Sequence, residues 1–190
     1  MSLSLNEKLC SAQHSQLLII DIQERLASAM RADILEMIIK HNKIMIAAAN
    51  ELDIPVIHSE QYPKGLGPTV SELSDSLNDK SVSFTKTCFA CSEEDGFNEL
   101  ISKQKRKHIV IGGIESHICV LQSALQLQRL GYTVFVVEDA TCSRKKSNHK
   151  NAIARLRQNG ITVSNVESVM FEWLRDAKHE SFKKLSSLIR

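Results

Sequence analysis

Short apolar runs alternate with longer segments of helical periodicity along the whole of this chain. The first apolar run, at residues 17–21, is nearly continuous and stops at an acidic residue, which is typical of a strand buried on both faces. Residues 32–52 follow with apolar side chains at helical spacing and predict an amphipathic helix. Because strands and helices that alternate in this way form parallel sheets with right-handed crossovers, the pattern predicts a doubly wound α/β fold.

The predicted architecture is a three-layer, Rossmann-like sheet of about six parallel strands with helices on both faces. The predicted strands lie at residues 17–21, 54–58, 81–86, 108–112, 132–137 and 161–164, and the predicted helices at 32–52, 97–105, 115–130, 148–158 and 171–189. Two prolines and two glycines predict a loop at residues 61–69. The chain has no internal repeat and no linker composition, so we expect residues 1–190 to form a single domain.

The composition of the 190 residues is that of a globular protein, with 43% hydrophobic and 24% charged residues. A formal net charge of +2 gives no reason to expect a nucleic acid or a membrane as partner, and no apolar run is long enough to span a bilayer. Residues 1–16 lack the apolar stretch of a secretory signal. The five cysteines are irregularly spaced, which favours reduced thiols and a cytoplasmic location over a disulfide framework.

Three chemically distinct residues fall where predicted strands end. Asp21 closes the first strand, Lys86 closes the third, and Cys119 lies in the first turn of the helix that follows the fourth. Parallel strands all end at one edge of a sheet, and ligands bind there at the point where the strand order reverses. If the first and fourth strands flank that point, Asp21 and Cys119 face each other across it.

These residue types suit nucleophilic catalysis on a carbonyl group. A thiol becomes a strong nucleophile as a thiolate, which the amino terminus of a helix and a nearby lysine both favour. The carboxylate of Asp21 can accept the thiol proton and return it to a leaving group. Structural interpretations stay open, because a free cysteine is often a small buried hydrophobe, an aspartate often caps a turn and a lysine is often solvated.

The text of the motifs resembles a known family. The sequences Leu-Leu-Ile-Ile-Asp-Ile-Gln at 17–23, Phe-Thr-Lys-Thr-Cys-Phe-Ala at 84–90 and Gly-Gly-Ile-Glu-Ser-His-Ile-Cys-Val at 112–120 resemble three signatures of the isochorismatase-like cysteine hydrolases. The stretch Gln-Tyr-Pro-Lys-Gly-Leu-Gly-Pro-Thr at 61–69 resembles the subgroup called isochorismatase domain-containing proteins. The resemblance extends over about residues 15–170 in the order of the family.

The resemblance implies specific roles for these residues. Asp21, Lys86 and Cys119 match the catalytic Asp, Lys and Cys of the family. It further implies a cis peptide bond between Ile114 and Glu115, and an oxyanion hole formed by the backbone amides of Glu115 and Cys119. Because members commonly associate, it implies a homodimer or homotetramer as well.

Departures from the family pattern narrow the chemistry. The nicotinamidase branch binds a metal through an Asp-x-His element, where this chain has Glu60-Gln61-Tyr62. One carboxylate is too few ligands for a zinc site, so we expect no metal and no other cofactor. Retention of Cys119 favours hydrolysis of a small amide-like substrate at a C–N bond. Two alternatives stay open: cleavage of a vinyl ether, as in isochorismatase itself, and a non-catalytic binding or scaffold protein that has kept the fold.

Several other residues are weaker candidates. Tyr62, Phe89 and Gln23 are predicted to line the substrate pocket. Cys88 and Cys91 form a single Cys-x-x-Cys without the further ligands that zinc requires, and we interpret them as structural or pocket-lining thiols. His117 does not face Cys119 on a helix and is a poor base. Arg144 is either a contact for an anionic group of the substrate or a solvated loop residue.

Overall fold

The computed structural model of the protein describes residues 9–189 and contains a six-stranded, all-parallel sheet. The strands are β1 (Ser15–Ile20), β2 (Val56–Gln61), β3 (Val82–Lys86), β4 (His108–Ile114), β5 (Thr133–Cys142) and β6 (Thr162–Ser164). The strand order is β3-β2-β1-β4-β5-β6, so the chain reverses its direction of winding between β1 and β4. This confirms the predicted doubly wound α/β fold and places its switch point between the first and fourth strands.

Helices of very different lengths connect the strands. They are α1 (Glu24–Ala27), α2 (Ala32–Glu51), α3 (Pro63–Leu66), α4 (Ser71–Ser74), α5 (Phe97–Lys103), α6 (Leu121–Arg129), α7 (Lys146–Gln158), α8 (Val166–Leu174) and α9 (Phe182–Ser186). A π-helical turn, Ser116–Val120, leads from β4 into α6, and 3₁₀ turns lie at Ala12–His14, Cys91–Glu93 and Ser187–Ile189.

The two faces of the sheet carry separate hydrophobic layers, as the alternation of side chains along a strand requires. Leu17 and Ile19 of β1 pack on the side of α2 and α8, together with Met45 and Trp173. Leu18 and Ile20 of the same strand pack on the other side, against α5, α6 and α7. Because both faces are covered, β1 is buried along its whole length, which explains its nearly continuous apolar sequence.

A close approach of β1 and β4 beside the switch point requires glycine at position 113. Gly113 pairs with Ile20 and has a φ of 117°, a conformation that residues with a Cβ atom rarely adopt. A Cβ atom at this position would clash with the backbone carbonyl oxygen of Ile20. The glycine therefore lets the two strands that flank the switch point lie side by side up to their last residues.

Replacement of Gly113 by alanine is expected to lower the free energy of unfolding by about 3 kcal/mol, because it combines an unfavourable φ with a backbone clash. The matched control is Gly131→Ala, which also has a positive φ of 86° but no atom near the added methyl group. The control should cost only about 1 kcal/mol. Urea denaturation of both variants measures the difference, and equal losses would show that the close approach is unimportant.

Several predicted boundaries differ from the structure. The predicted second and fifth strands end too early, since β2 continues to Gln61 and β5 to Cys142. The predicted continuous helix over 171–189 is wrong: α8 begins earlier, where the Asn165 side chain accepts a hydrogen bond from the N–H of Ser168, and ends before Arg175, whose φ is 63°. Within the predicted loop at 61–69, α3 forms one helical turn.

Two further expectations concern the ends and the environment of the chain. The first half of the segment expected to lack a secretory signal, residues 1–8, lies outside the described residues. Across residues 9–189, no helix has both the length and the apolar character that crossing a membrane requires. The single-domain organisation of residues 1–190 stays a prediction.

Candidate active site

Asp21 directly follows β1 at the carboxyl edge of the sheet. Its φ of 51° is left-handed, a conformation that aspartate tolerates better than most residues. Its backbone N–H donates to the carbonyl oxygen of Ser59 over 3.1 Å, which holds the residue against the end of β2. The side chain is fully buried, so its carboxylate must find its partners within the protein.

Lys86, the last residue of β3, supplies the first of these partners. Its Nζ donates to Asp21 Oδ2 over 2.6 Å and to Gln61 Oε1 over 2.7 Å. Two longer bonds of 3.3 Å reach the carbonyl oxygens of Cys88 and Phe89. The side chains of Asp21 and Lys86 are both inaccessible to solvent, so this is a buried ion pair with its hydrogen-bonding capacity largely used.

A second set of contacts holds the other oxygen of Asp21. The hydroxyl of Ser59 donates to Asp21 Oδ1 over 2.7 Å. The thiol of Cys91 donates in turn to Ser59 Oγ over 3.8 Å, and the backbone N–H of Cys91 donates to Ser123 Oγ over 2.9 Å. Both carboxylate oxygens are therefore fixed in direction, one by a hydroxyl and one by an ammonium group.

Cys119 approaches Asp21 from the other side of the switch point. It lies in the π-helical turn that follows β4, and the peptide bond between Ile114 and Glu115 is cis. Turns of this type occur frequently at functional sites. Only 5% of Cys119 is exposed, and its thiol is close enough to Asp21 and Lys86 for both charges to act on its pKa. The three candidate catalytic side chains thus meet in one buried cluster.

The electrostatics of this cluster favour a neutral thiol beside a charged pair. Burial and the negative charge of Asp21 raise the pKa of Cys119 well above its ordinary value, and the charge of Lys86 opposes this only in part. For Lys86, burial lowers the pKa, but the carboxylate of Asp21 together with the thiols of Cys119 and Cys91 outweighs burial, and the pKa is raised. The expectation that the helix terminus and the lysine favour the thiolate therefore differs from the structure, because burial and the charge of Asp21 raise the pKa of the thiol by more than Lys86 lowers it.

The turn that carries Cys119 is fastened to the segment after β5. Both carboxylate oxygens of Glu115 accept from Arg144, Oε1 from the side-chain Nε over 3.0 Å and Oε2 from the backbone N–H over 2.9 Å. Arg144 thus binds a carboxylate of the protein itself, which neither interpretation of the sequence included. Two histidines make further ties: Ser116 Oγ lies 2.9 Å from His149 Nδ1, and His117 Nδ1 lies 2.9 Å from Ser143 Oγ.

The three residues predicted to line a substrate pocket occupy different environments. Tyr62 is exposed, has a φ of 39°, and lays its ring against Gly65. Phe89 is exposed, and its backbone carbonyl oxygen accepts from Lys86. Gln23 is buried, and its side chain bonds to the backbone of Gln61 and Gly67. Gln23 therefore supports the loop after β2, and contact of these three residues with a substrate stays a prediction.

The residues considered for metal binding have other partners. Glu60 Oε1 accepts from both the N–H and the hydroxyl of Thr69, at 2.7 and 2.8 Å. Cys91 is fully buried, and burial raises its pKa to about 11, whereas Cys88 is partly exposed. Within residues 9–189, no three His, Cys, Asp or Glu side chains are grouped so that they could hold a metal ion.

Ser59 and Gln61 are site residues that the apolar pattern did not predict. Both lie in the last part of β2, beyond the predicted end of that strand, because polar residues interrupt the apolar run. The strand topology could have predicted the positions of Ser59 and Gln61. Since β2 pairs with β1 and Ser59 pairs with Ile20, any strand beside β1 must bring its last residues to the edge where Asp21 lies.

Comparisons with known proteins agree with this architecture. The isochorismatase domain matches residues 15–168. Isochorismatase domain-containing protein 2 of Xenopus laevis is 41% identical over 145 residues, covering 76% of this chain and 69% of the relative. The structure of MAR1 ribonuclease from Caenorhabditis elegans is 32% identical, with a TM-score of 0.89, and the likeness covers 95% of this chain and 92% of that chain.

A more distant structure shares the fold alone. The YcaC gene product of Escherichia coli, described as an octameric hydrolase of unknown specificity, has a TM-score of 0.88 at 21% identity, covering 100% of this chain and 91% of that chain. The family model matches most of the chain, and the two relatives above 30% identity named here align with 76% and 95% of it. The chain therefore belongs to the isochorismatase family and has the fold of that family's hydrolases.

Proposed function

We propose that the chain is a cysteine hydrolase that cleaves a C–N bond of a small amide-like substrate through a thioester on Cys119. The observation that carries the proposal is the meeting of a thiol, a carboxylate and an ammonium group in one buried cluster at the switch point. In the proposed division of roles, Cys119 is the nucleophile and Asp21 the general base and acid. Lys86 compensates the negative charge that moves between them.

Acylation begins from the neutral thiol. Asp21 takes the proton from Cys119 Sγ as the sulfur bonds to the substrate carbonyl carbon, and the π electrons of the carbonyl move onto its oxygen. The backbone amides of Glu115 and Cys119 are the proposed donors to that oxyanion. When the carbonyl re-forms, the C–N bond breaks and Asp21 gives its proton to the leaving nitrogen. A thioester on Cys119 and a free amine result.

Deacylation uses the same groups in reverse. Asp21 takes a proton from water as the water oxygen bonds to the thioester carbon, and the C–S bond then breaks. The thiolate recovers its proton from Asp21, and the acid product leaves. The raised pKa of Cys119 is consistent with this route, since it keeps the proton on sulfur until a substrate is in place.

Burial of the cluster limits the substrate. Asp21 is fully buried, and Lys86 and Cys119 are exposed by only 2% and 5%. Only a small acyl group can reach the sulfur, so peptide bonds within a folded chain are poor substrates. The exposed rings of Tyr62 and Phe89 are proposed to contact the part of the substrate that stays outside.

Trapping with hydroxylamine tests the proposed reaction. A panel of small primary amides is incubated with the protein in the presence of hydroxylamine, which attacks a thioester and releases the acyl group as a hydroxamate. We expect ammonia release from at least one amide, with hydroxamate formed at the expense of acid. Ammonia release without any hydroxamate would contradict the thioester intermediate. Cleavage of a vinyl ether, with no amide hydrolysed, would replace the amide as the proposed substrate.

Cleavage of RNA is a second candidate function, because the relative from Caenorhabditis elegans is named a ribonuclease. The densest basic run, residues 103–108, lies between the end of α5 and the start of β4, at the opposite edge of the sheet from Cys119. A second basic stretch, residues 144–146, follows β5 on the side of Cys119, but its Arg144 is engaged by Glu115. Burial of the cluster, which favours a small substrate over a nucleic acid strand, therefore favours the amide. Incubation with a labelled single-stranded RNA distinguishes the two, and cleavage that requires Cys119 would make RNA the substrate.

The environment and assembly of the protein complete the proposal. All five cysteines are free thiols, which supports a reducing compartment such as the cytoplasm. A small molecule is the expected partner, and the proposed mechanism needs no cofactor. Association into a homodimer or homotetramer is the expected assembly, and the YcaC gene product of the same fold is an octamer.

A further inference from the structure

We propose that Arg144 is a positioning residue that aims the oxyanion hole by holding the side chain of Glu115. This inference rests on the proposed function, because it concerns the donor that the Glu115 amide supplies to the oxyanion. Arg144 lies outside the four motifs quoted from the sequence, 25 residues after Cys119 in the segment that follows β5.

The contact between Glu115 and Arg144 is too specific for a surface ion pair. Only 4% of the Glu115 side chain is exposed, whereas 57% of the Arg144 side chain is. Both Glu115 oxygens are used, one by the guanidinium and one by the backbone N–H of Arg144. The other basic group beside these oxygens is His117, with 4.0 Å between its Nδ1 and Glu115 Oε2, and it is charged only when protonated. Arg144 is therefore the permanent cation that holds this buried carboxylate, and the conformation of Glu115 depends on it.

The neighbouring contacts join the same two segments. Ser116 contacts His149, and His117 contacts both Ser143 and Asn148, the latter with 3.1 Å between His117 Nε2 and Asn148 Nδ2. Three consecutive side chains that precede Cys119 are thus tied to residues 143–149. Among the partners in these described hydrogen bonds, Arg144 is always charged. His149 is charged only when protonated, and Ser143 and Asn148 are neutral.

The position of Glu115 makes this tie relevant to catalysis. Its side chain and its amide belong to one residue, so a side chain held at both oxygens restricts the rotation of the backbone that carries the amide. An oxyanion donor contributes fully only when it already points at the developing charge, and its removal typically slows a reaction about a hundredfold or more. Displacement of the donor, without its removal, should cost about tenfold.

Two thiol reagents separate this effect from a general loss of structure. p-Nitrophenyl acetate acylates a thiol through a tetrahedral oxyanion: the S–C bond forms, p-nitrophenolate leaves, and the thiol proton passes to Asp21. Iodoacetamide alkylates the same sulfur by direct displacement of iodide, with no oxyanion. The ratio of the two rate constants at Cys119 therefore reports the oxyanion hole and cancels changes in access or acidity of the thiol.

The variants are Arg144→Gln and Arg144→Lys, with Arg157→Gln as the matched control. Arg157 pairs with Glu138, and its side chain is 56% exposed, similar to that of Arg144, but its partner is at the surface. Each rate constant is measured on Cys119 by peptide mass spectrometry. We expect the ratio of acylation to alkylation to fall about tenfold in Arg144→Gln and by less in Arg144→Lys, which keeps the charge. It should be unchanged in Arg157→Gln.

Other outcomes overturn the inference. An unchanged ratio in the Arg144 variants, or a parallel fall of both rate constants, would show that Arg144 has only a structural role. If Arg144→Gln does not fold, Arg144→Lys alone decides, and an unchanged ratio there is equally adverse. Absence of acylation at Cys119 in the wild-type protein would instead overturn the proposed function, and the inference with it.

Discussion

Replacement of Cys119 by alanine is expected to abolish hydrolysis of any amide that the wild-type protein turns over, a fall of about a thousandfold or more. Without the sulfur no thioester can form, and water has no activated route to the carbonyl in this buried cluster. The fold should persist, because the change removes one small buried atom. Initial rates and thermal denaturation measure the two effects separately.

The matched control for this variant is Cys142→Ala. Cys142 is also buried, and burial raises its pKa to about 12, but it lies at the end of β5 and is not part of the Asp21 cluster. Activity of Cys142→Ala should stay close to that of the wild type. Full activity of Cys119→Ala on that amide would contradict the thioester route and show that water attacks the carbonyl directly.

Replacement of Asp21 by asparagine is expected to lower turnover and, at the same time, to make the Cys119 thiol more acidic. Turnover should fall about a thousandfold, because no group remains to take the thiol proton and give it to the leaving nitrogen. The thiolate should nevertheless form at lower pH than in the wild type. Burial and the carboxylate of Asp21 raise the pKa of Cys119 and Lys86 lowers it, so a neutral amide at position 21 removes one of the two main raising influences while Lys86 continues to lower the pKa.

The thiolate of Cys119 can be followed by its rate of alkylation with iodoacetamide across a pH series, measured on the peptide that contains Cys119, which separates it from the other four cysteines. Asp53→Asn is the control, because Asp53 is exposed and pairs with Lys80 at the far edge of the sheet. Three groups surround the thiol, namely Asp21, Lys86 and Cys91, and only the first changes in this experiment. A pKa of Cys119 that rises or stays the same in Asp21→Asn would show that the carboxylate does not control the thiol.

The positions of the three central residues followed from strand topology. An apolar run that stops at Asp21 and an alternating segment that stops at Lys86 indicate where strands end, and all parallel strands end at one edge. Strand order was the remaining condition, and the arrangement with β1 beside β4 fulfils it. Strand pattern and the family resemblance together predicted which residues lie at this edge, since their position there depends on the backbone and not on detailed packing.

The rest of the site depends on side-chain contacts that no periodicity encodes. Ser59 and Gln61 point inwards from β2, where polar residues look like the start of a loop. The tie between Glu115 and Arg144 joins segments that are 29 residues apart, and a single arginine in a polar segment has no distinguishing pattern. The direction of the pKa shift of Cys119 depends on whether Asp21 or Lys86 dominates, which only the contacts decide.

The most direct test of the account is mass spectrometry on protein quenched in acid during turnover of a small amide. Acid stops deacylation and preserves a thioester, and digestion then locates the acyl group on a peptide. The account predicts the mass of the acyl group on the peptide that contains Cys119, and its loss after treatment with hydroxylamine. An acyl group on any other residue, or none at Cys119 while amide is being consumed, would contradict it.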